Sequence, residues 1–176
     1  MTERFRSQRF DPDHHNVSGF TCGEQALDLW LTDQAATAAK RGTARTWVWL
    51  DGEDKVVGYY ALAAHKVTRE QVPSRIGRGG PAEIPAVLLA RLALSEHLHG
   101  RGLGAVLVAD ALERVVIVTG TVAARLVVVD ALTEAVAHFY EKLGFRRIPG
   151  SLRLVQKIAD IEAAFTTGAS DPLGSQ

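Results

Sequence analysis

Leu92-Ala93-Leu94-Ser95-Glu96-His97-Leu98-His99-Gly100-Arg101-Gly102-Leu103-Gly104 is the stretch on which the fold turns. Upstream, Ala86 to Ser95 is apolar enough for a central strand, and from Arg101 onward Leu103, Val106, Leu107, Ala111 and Val115 recur at helical spacing. Between them lies a short turn with alternating glycines. Glycine lets the backbone approach a ligand closely. Successive N–H groups at a helix start carry partial positive charge and suit a phosphate. The turn therefore predicts a pyrophosphate site. Three ligands compete for it. A Walker loop needs Gly-Lys-Ser/Thr, which is absent. A dinucleotide loop needs Gly-x-Gly-x-x-Gly, whereas Gly100 to Gly104 is Gly-x-Gly-x-Gly with no suitably placed acidic strand end. Coenzyme A is the third.

Working outward, residues 5–20 are irregular, with a turn at Asp11-Pro12-Asp13. Glu24 to Lys40 has helical periodicity with Thr21 as its expected cap. Thr46–Leu50 and Val56–Ala64 read as strands joined by the hairpin turn Asp51-Gly52-Glu53-Asp54. Residues 65–85 hold Pro73, Gly77, Gly79, Gly80, Pro81 and Pro85 and read as one long loop. Beyond the glycine turn the helix end is left open, because Val115-Val116-Ile117-Val118 favours strand. Ala124–Asp130 is a buried strand, Thr133–Leu143 a helix capped by Thr133 and stopped by Gly144, and Ser151–Lys157 a last strand. The expected class is α/β with a mixed sheet, one domain over residues 1–160 and a flexible tail over 161–176 that begins with a short amphipathic piece.

Composition narrows the function. Lys plus Arg and Asp plus Glu both number 20, so a wholly basic nucleic-acid binder is excluded while a local basic face is not. The single cysteine, Cys22, rules out an intramolecular disulfide and any zinc site needing two cysteines of one chain. The charged start, Met1 to Arg6, lacks an apolar signal core, and no run approaches the roughly 20 apolar residues of a membrane span. A cytoplasmic protein is expected. His97, His99 and the pair His14-His15 fit no metal-ligand spacing, so no metal is expected. Cys22 reads as a small buried filler, and Trp30, Trp47 and Trp49 as core.

His99-x-x-Gly102-x-Gly104 resembles the Arg/Gln-x-x-Gly-x-Gly/Ala motif of the GNAT acetyltransferases, with His in the first place. Ala137 to Phe145 (Ala-His-Phe-Tyr-Glu-Lys-Leu-Gly-Phe) resembles that family's A-x-x-F-Y-x-x-x-G-F segment, with one residue fewer before Phe139. Gly19-Phe20-Thr21-Cys22-Gly23, continuing to Leu27-Asp28-Leu29-Trp30-Leu31, resembles the opening of one GNAT branch, the acetyltransferase toxins of type II toxin–antitoxin modules. Val57–Leu62 and Leu89–Leu94 continue the likeness, which runs from about Asp11 to Lys157.

The resemblance implies the acyl-CoA N-acyltransferase fold, with its mixed central sheet splayed between strands 4 and 5. It implies acetyl-CoA as co-substrate, held by Leu92, Ala93 and Leu94 and by His99, Gly100, Arg101, Gly102, Leu103, Gly104 and Ala105. It implies Tyr140 as proton donor to the departing CoA sulfur. The branch acetylates the α-amino group of aminoacyl-tRNA, stops translation, is neutralised by a ribbon-helix-helix antitoxin and is commonly dimeric. For an RNA substrate the cations at hand are Lys40, Arg41 and Arg45 after the first helix, Arg75 and Arg78 in the long loop beside Lys66 and Arg69, and Arg91. Two other functions stay open: a GNAT enzyme acting on a small-molecule or protein amine, and an inactive CoA-binding module. Tyr140 and the intact glycine turn speak against the latter.

Overall fold

The helical pattern after Gly23 folds as three joined pieces. These are α1 (Gln25–Leu29), a π-helical turn (Trp30–Gln34) and α2 (Ala35–Arg41). This computed structural model describes residues 5–168. Thr21 does not cap the helix. Glu24 holds the N-cap position with no side-chain bond, and the Thr21 hydroxyl instead donates to Glu96 Oε2 at 3.4 Å. The helix start is closed from within, since the Cys22 N–H donates to Asp28 Oδ1 at 2.9 Å. Gly42, in the left-handed region at φ 70°, ends α2.

The strands are β1 (Gln8–Arg9), β2 (Arg45–Leu50), β3 (Val56–Thr68), β4 (Glu83–Leu94), β5 (Leu126–Asp130), β6 (Arg146–Arg147) and β7 (Arg153–Lys157). They form one mixed sheet in the order β1-β2-β3-β4-β5-β7-β6, with β4 and β5 parallel. The chain groups into two units, residues 1–64 with 89–111 and residues 65–88 with 112–176.

In the first unit, β2 and β3 pair antiparallel, Trp47 opposite Tyr60 and Val48 opposite Tyr59. Tyr59 centres the core. Trp30 stacks on its ring at 5.9 Å, Phe20 meets it edge-on at 5.7 Å, and its hydroxyl donates to the Leu27 carbonyl at 2.6 Å. The Phe20-to-Leu31 block thus serves to fasten the first helix to β3. Burial pushes the Tyr59 phenol well above its ordinary value. A second anchor is Asp110, on α4 (Leu103–Thr119). Its carboxylate accepts from Trp49 Nε1 at 2.8 Å, the Tyr60 hydroxyl at 3.0 Å and the Ser7 hydroxyl at 2.6 Å. Trp30 and Trp49 are core as expected, while Trp47 is half-buried, stacked on Tyr60 and under Arg9.

In the second unit the expected loop over 65–85 is largely ordered secondary structure. β3 runs on to Thr68 and β4 begins at Glu83. Between them come a 3-10 turn, Arg69–Gln71, with a Thr68/Gln71 capping box, and the single helical turn α3 (Ser74–Gly77). The reason is apolar burial: Val67, Val72, Ile76, Ile84 and Ala86 pack with Leu126, Val128 and Val155. The prolines and glycines mark bends inside this connection. Helix α4 keeps Val115 to Val118, since helical burial of Val115 overrides their strand propensity. Helix α5 (Glu134–Lys142) begins at Thr133, whose hydroxyl accepts from the Val136 N–H at 3.2 Å. The short amphipathic piece after Asp160 is part of α6 (Ile158–Gly168), so the chain stays helical past the boundary expected at 160. Residues 169–176 of the expected tail lie outside the described residues. Among the described residues no helix is long and apolar enough to cross a membrane.

Candidate active site

In the first unit the glycine turn follows β4 directly. The Ser95 N–H is tied to the Val57 carbonyl at 2.8 Å, which fixes where β4 ends. Glu96–Leu98 make one 3-10 turn, with Leu98 buried beneath it. Gly100 and Gly102 adopt φ of 78° and 72°. A Cβ at either would meet nothing within 4 Å, so backbone conformation and not crowding calls for glycine there. Gly104 lies inside the first turn of α4 and needs no such freedom. Arg101 and Gly102 are exposed, and Leu103, Gly104 and Ala105 are half-buried at the helix start. Their N–H groups have no intrahelical acceptor, which leaves them available to an anion. The turn therefore fits a pyrophosphate. Of the strand residues, Leu92 is half-buried while Ala93 and Leu94 are buried.

The His99 side chain folds back on its own strand, its Nε2 lying 2.7 Å from the Leu94 carbonyl oxygen. A carbonyl only accepts, so Nε2 carries the proton. The imidazole is thus a brace across the turn.

In the second unit Tyr140 sits on α5, 4% exposed, between Phe139 and Phe145, whose rings meet it edge-on at 5.2 and 5.4 Å. Its hydroxyl has no hydrogen-bond partner among the described residues. Burial pushes its pKa well above the ordinary phenol value, so the proton stays on oxygen at neutral pH. Gly144, at φ 98°, turns the chain out of α5, and the Phe145 N–H returns to the Tyr140 carbonyl at 3.1 Å.

The cations expected to meet RNA divide by environment. Lys40 and Arg41 are exposed in the last turn of α2. Arg45 is already engaged: Nη1 donates to the Ala39 carbonyl at the end of that helix. Arg91 lies over the Trp30 ring at 5.5 Å and donates to the Ala90 carbonyl. Arg75 and Arg78 are exposed on and just after α3. Lys66 is paired with Glu83, and Arg69 donates to the Gly80 carbonyl. Cys22 is half-buried and its thiol is pushed up to about 12 by burial, which removes it as a nucleophile at neutral pH. Among the described residues no group of three or more His, Cys, Asp or Glu could hold a metal ion. The sequence did not reveal the arrangement of Arg153, held by Asp130 through two bonds of 2.7 and 2.8 Å and placed 3.2 Å from His65 Nε2. The Arg153 guanidinium holds the Asp130 carboxyl below its usual range, and that carboxylate in turn raises the guanidinium.

Residues 42–147 match the Acetyltransferase (GNAT) domain family, a span that takes in both the glycine turn and Tyr140. The chain belongs to the GNAT acetyltransferase family. This GNAT acetyltransferase is 36% identical over 138 residues to a Mycobacterium tuberculosis protein named tRNA-acetylating toxin, covering 78% of this chain and 82% of that one. It resembles the solved structure of AtaT complexed with acetyl-methionyl-tRNAfMet with a TM-score of 0.84 at 30% identity, over 92% of this chain and 99% of that one. A mutant AtaT toxin bound to the C-terminus of the antitoxin AtaR and acetyl-CoA matches with a TM-score of 0.78 at 29% identity, over 92% and 98% of the two chains.

Proposed function

We propose that this GNAT acetyltransferase is the toxin of a type II toxin–antitoxin module. It transfers acetyl from acetyl-CoA to the α-amino group of aminoacyl-tRNA and so blocks translation. The observation that carries this reading is the 36% identity to a tRNA-acetylating toxin over 78% of the chain. The likeness to AtaT with acetyl-methionyl-tRNA supports it.

Acetyl-CoA supplies an activated thioester. The alternating glycines and the α4 N-terminus hold its pyrophosphate, with His99 bracing the turn and Arg101, Leu103, Gly104 and Ala105 around it. Backbone N–H groups around Leu92, Ala93 and Leu94 donate to the acyl and pantetheine carbonyls and stabilise the charge that builds on oxygen during attack. An α-amino group has a pKa near 8, and lower still beside an ester, so the nucleophile is neutral without a dedicated base. Tyr140 gives its proton to the sulfur as the carbon–sulfur bond breaks. A thiol ionises near ~8.5, below this buried phenol. Tyr140 must therefore regain a proton from the attacking nitrogen in the same event, and it acts as a relay.

Lys40, Arg41, Arg75 and Arg78 are the free cations for RNA phosphates, with Arg45 and Arg91 placed beside them in sequence and partly committed to the fold. A ribbon-helix-helix antitoxin, a homodimer and a cytoplasmic site of action complete the reading. The test is incubation with radiolabelled acetyl-CoA and charged or uncharged tRNA. Label is expected in charged tRNA alone. Label in a small-molecule or protein amine, with none in charged tRNA, would overturn the assignment.

A further inference from the structure

Three cations of the second unit line one cavity, with a single carboxylate among them. The cavity, about 80 Å³, is lined by Arg75, Arg146, Lys157, Gln156, Gly144 and Asp160, with Ile76 and Val155 as its apolar wall. None of Arg75, Arg146 and Lys157 has an ion-pair partner among the described residues. Their neighbours are handled differently. Arg147 is held by Glu134 and Glu141, Arg153 by Asp130, and Lys66 by Glu83. In a chain with equal numbers of acidic and basic residues, leaving three cations about one hole is a departure that calls for an anion. Asp160, the one acid in the lining, does not cancel them.

Size and lining limit what enters. One water needs roughly 10–15 Å³ of such space, so this cavity has room for a tetrahedral phosphate group together with a few waters. A peptide strand would want a longer track with apolar pockets. The Gln156 amide is part of the same lining, and its Nε2 N–H groups are further donors to an anion. Gly144 is also in the lining, and a Cβ there would come 3.0 Å from Gln156 Nε2. The rim is tied to the proton donor, since the Phe145 N–H next to Gly144 bonds to the Tyr140 carbonyl.

We infer that this cavity binds a phosphodiester group of the RNA substrate, with Arg146 and Lys157 joining Arg75 as its ligands. The inference rests on the aminoacyl-tRNA reading above. It adds two residues from the last strands, far in sequence from the basic segments 40–45 and 75–78, to the RNA contact.

The test compares the full chain with the double variant Arg146→Gln, Lys157→Gln and with Asp160→Asn in acetylation of charged tRNA across a salt series. The double variant is expected to raise KM for charged tRNA at least tenfold and leave KM for acetyl-CoA in place. Its log–log salt slope should be shallower by about 0.7–0.9 per lost phosphate contact. Asp160→Asn is expected to lower KM for charged tRNA, and it decides the matter if the double variant does not fold. Unchanged KM for charged tRNA in the folded variants, with active wild type, overturns this inference alone. Wild type that labels no charged tRNA overturns the underlying reading and this inference with it. Loss of antitoxin binding with unchanged tRNA kinetics would assign the cavity to an acidic protein segment instead and overturn the RNA assignment.

Discussion

His99 Nε2 donates to the carbonyl of Leu94 at 2.7 Å, across the turn that joins β4 to α4. The bond clamps the two sides of a segment that contains two left-handed glycines. Its loss should therefore loosen the phosphate end of the cofactor site and spare the chemistry. His99→Ala is expected to raise KM for acetyl-CoA several-fold, change kcat little and cost about 1 kcal/mol of stability. His99→Gln, a residue the family motif carries at this place, keeps an N–H donor and should recover most of the loss. The measurement is a KM against kcat split for the two variants. An unaltered acetyl-CoA KM in His99→Ala would remove the brace from the account.

Tyr140 presents the opposite case, a buried ring with edge-on ring contacts whose hydroxyl has no hydrogen-bond partner among the described residues. Such a hydroxyl gives the fold little, because it makes no hydrogen bond that its removal would break. Tyr140→Phe should leave the melting temperature unchanged or slightly raised. The same change should lower kcat by about 10²–10⁴, the range for a lost acid–base group, with acetyl-CoA still bound. Full turnover in Tyr140→Phe would rule out the relay.

Much of this was legible in the sequence, and the failures have physical causes. The strand–glycine turn–helix unit and the Thr133 cap were readable because local rules decide them: apolar periodicity, glycine at positive φ, a hydroxyl at a helix start. The loop over 65–85 was misjudged because Pro73, Gly77 and Pro81 hide the burial of Val72 and Ile76, which depends on distant Leu126 and Val155. The cap at Thr21 failed because Asp28, inside the helix, reaches back to the Cys22 N–H. The engagement of Arg45 by Ala39 and of His99 by Leu94 is likewise a matter of three-dimensional return that spacing does not reveal. The Gly19–Leu31 block is recognisable as a pattern, and its physical basis emerges only with Tyr59 placed at its centre.

Alkaline pH should weaken the fold through the same buried groups. The Cys22 thiol is held at about 12 against an ordinary 9.0, and the Tyr59 and Tyr140 phenols are pushed above 10.0, in each case first by burial. Each is neutral in the folded chain and ionises at lower pH once unfolding exposes it. Between the ordinary and the raised values the unfolded chain binds fewer protons, so stability falls as pH rises. The contribution is complete below about pH 9 and is lost progressively above it. Urea unfolding at a series of pH values from neutral upward reads this as a falling midpoint, and Cys22→Ala should remove the earliest part of the fall. A midpoint constant across that range would contradict the burial of all three.

The basic segment at the end of α2 divides into exposed side chains and one that the fold has taken. Lys40 and Arg41 are exposed with no ion-pair partner among the described residues. Arg45 spends a guanidinium N–H on the Ala39 carbonyl, one of the acceptors that a helix end leaves open. The two kinds should part on mutation. Lys40→Glu with Arg41→Glu is expected to raise KM for charged tRNA and flatten its salt dependence, at a stability cost of roughly 0.5 kcal/mol from the helix dipole. Arg75→Glu with Arg78→Glu should do the same from the second unit. Arg45→Ala, by contrast, should cost about 1 kcal/mol of stability and change tRNA kinetics less than either pair. Thermal melts and tRNA saturation curves on the same three proteins separate these outcomes. If Arg45→Ala is the most damaging to tRNA kinetics while leaving the melt in place, its bond to Ala39 is incidental and the arginine turns outward to the RNA.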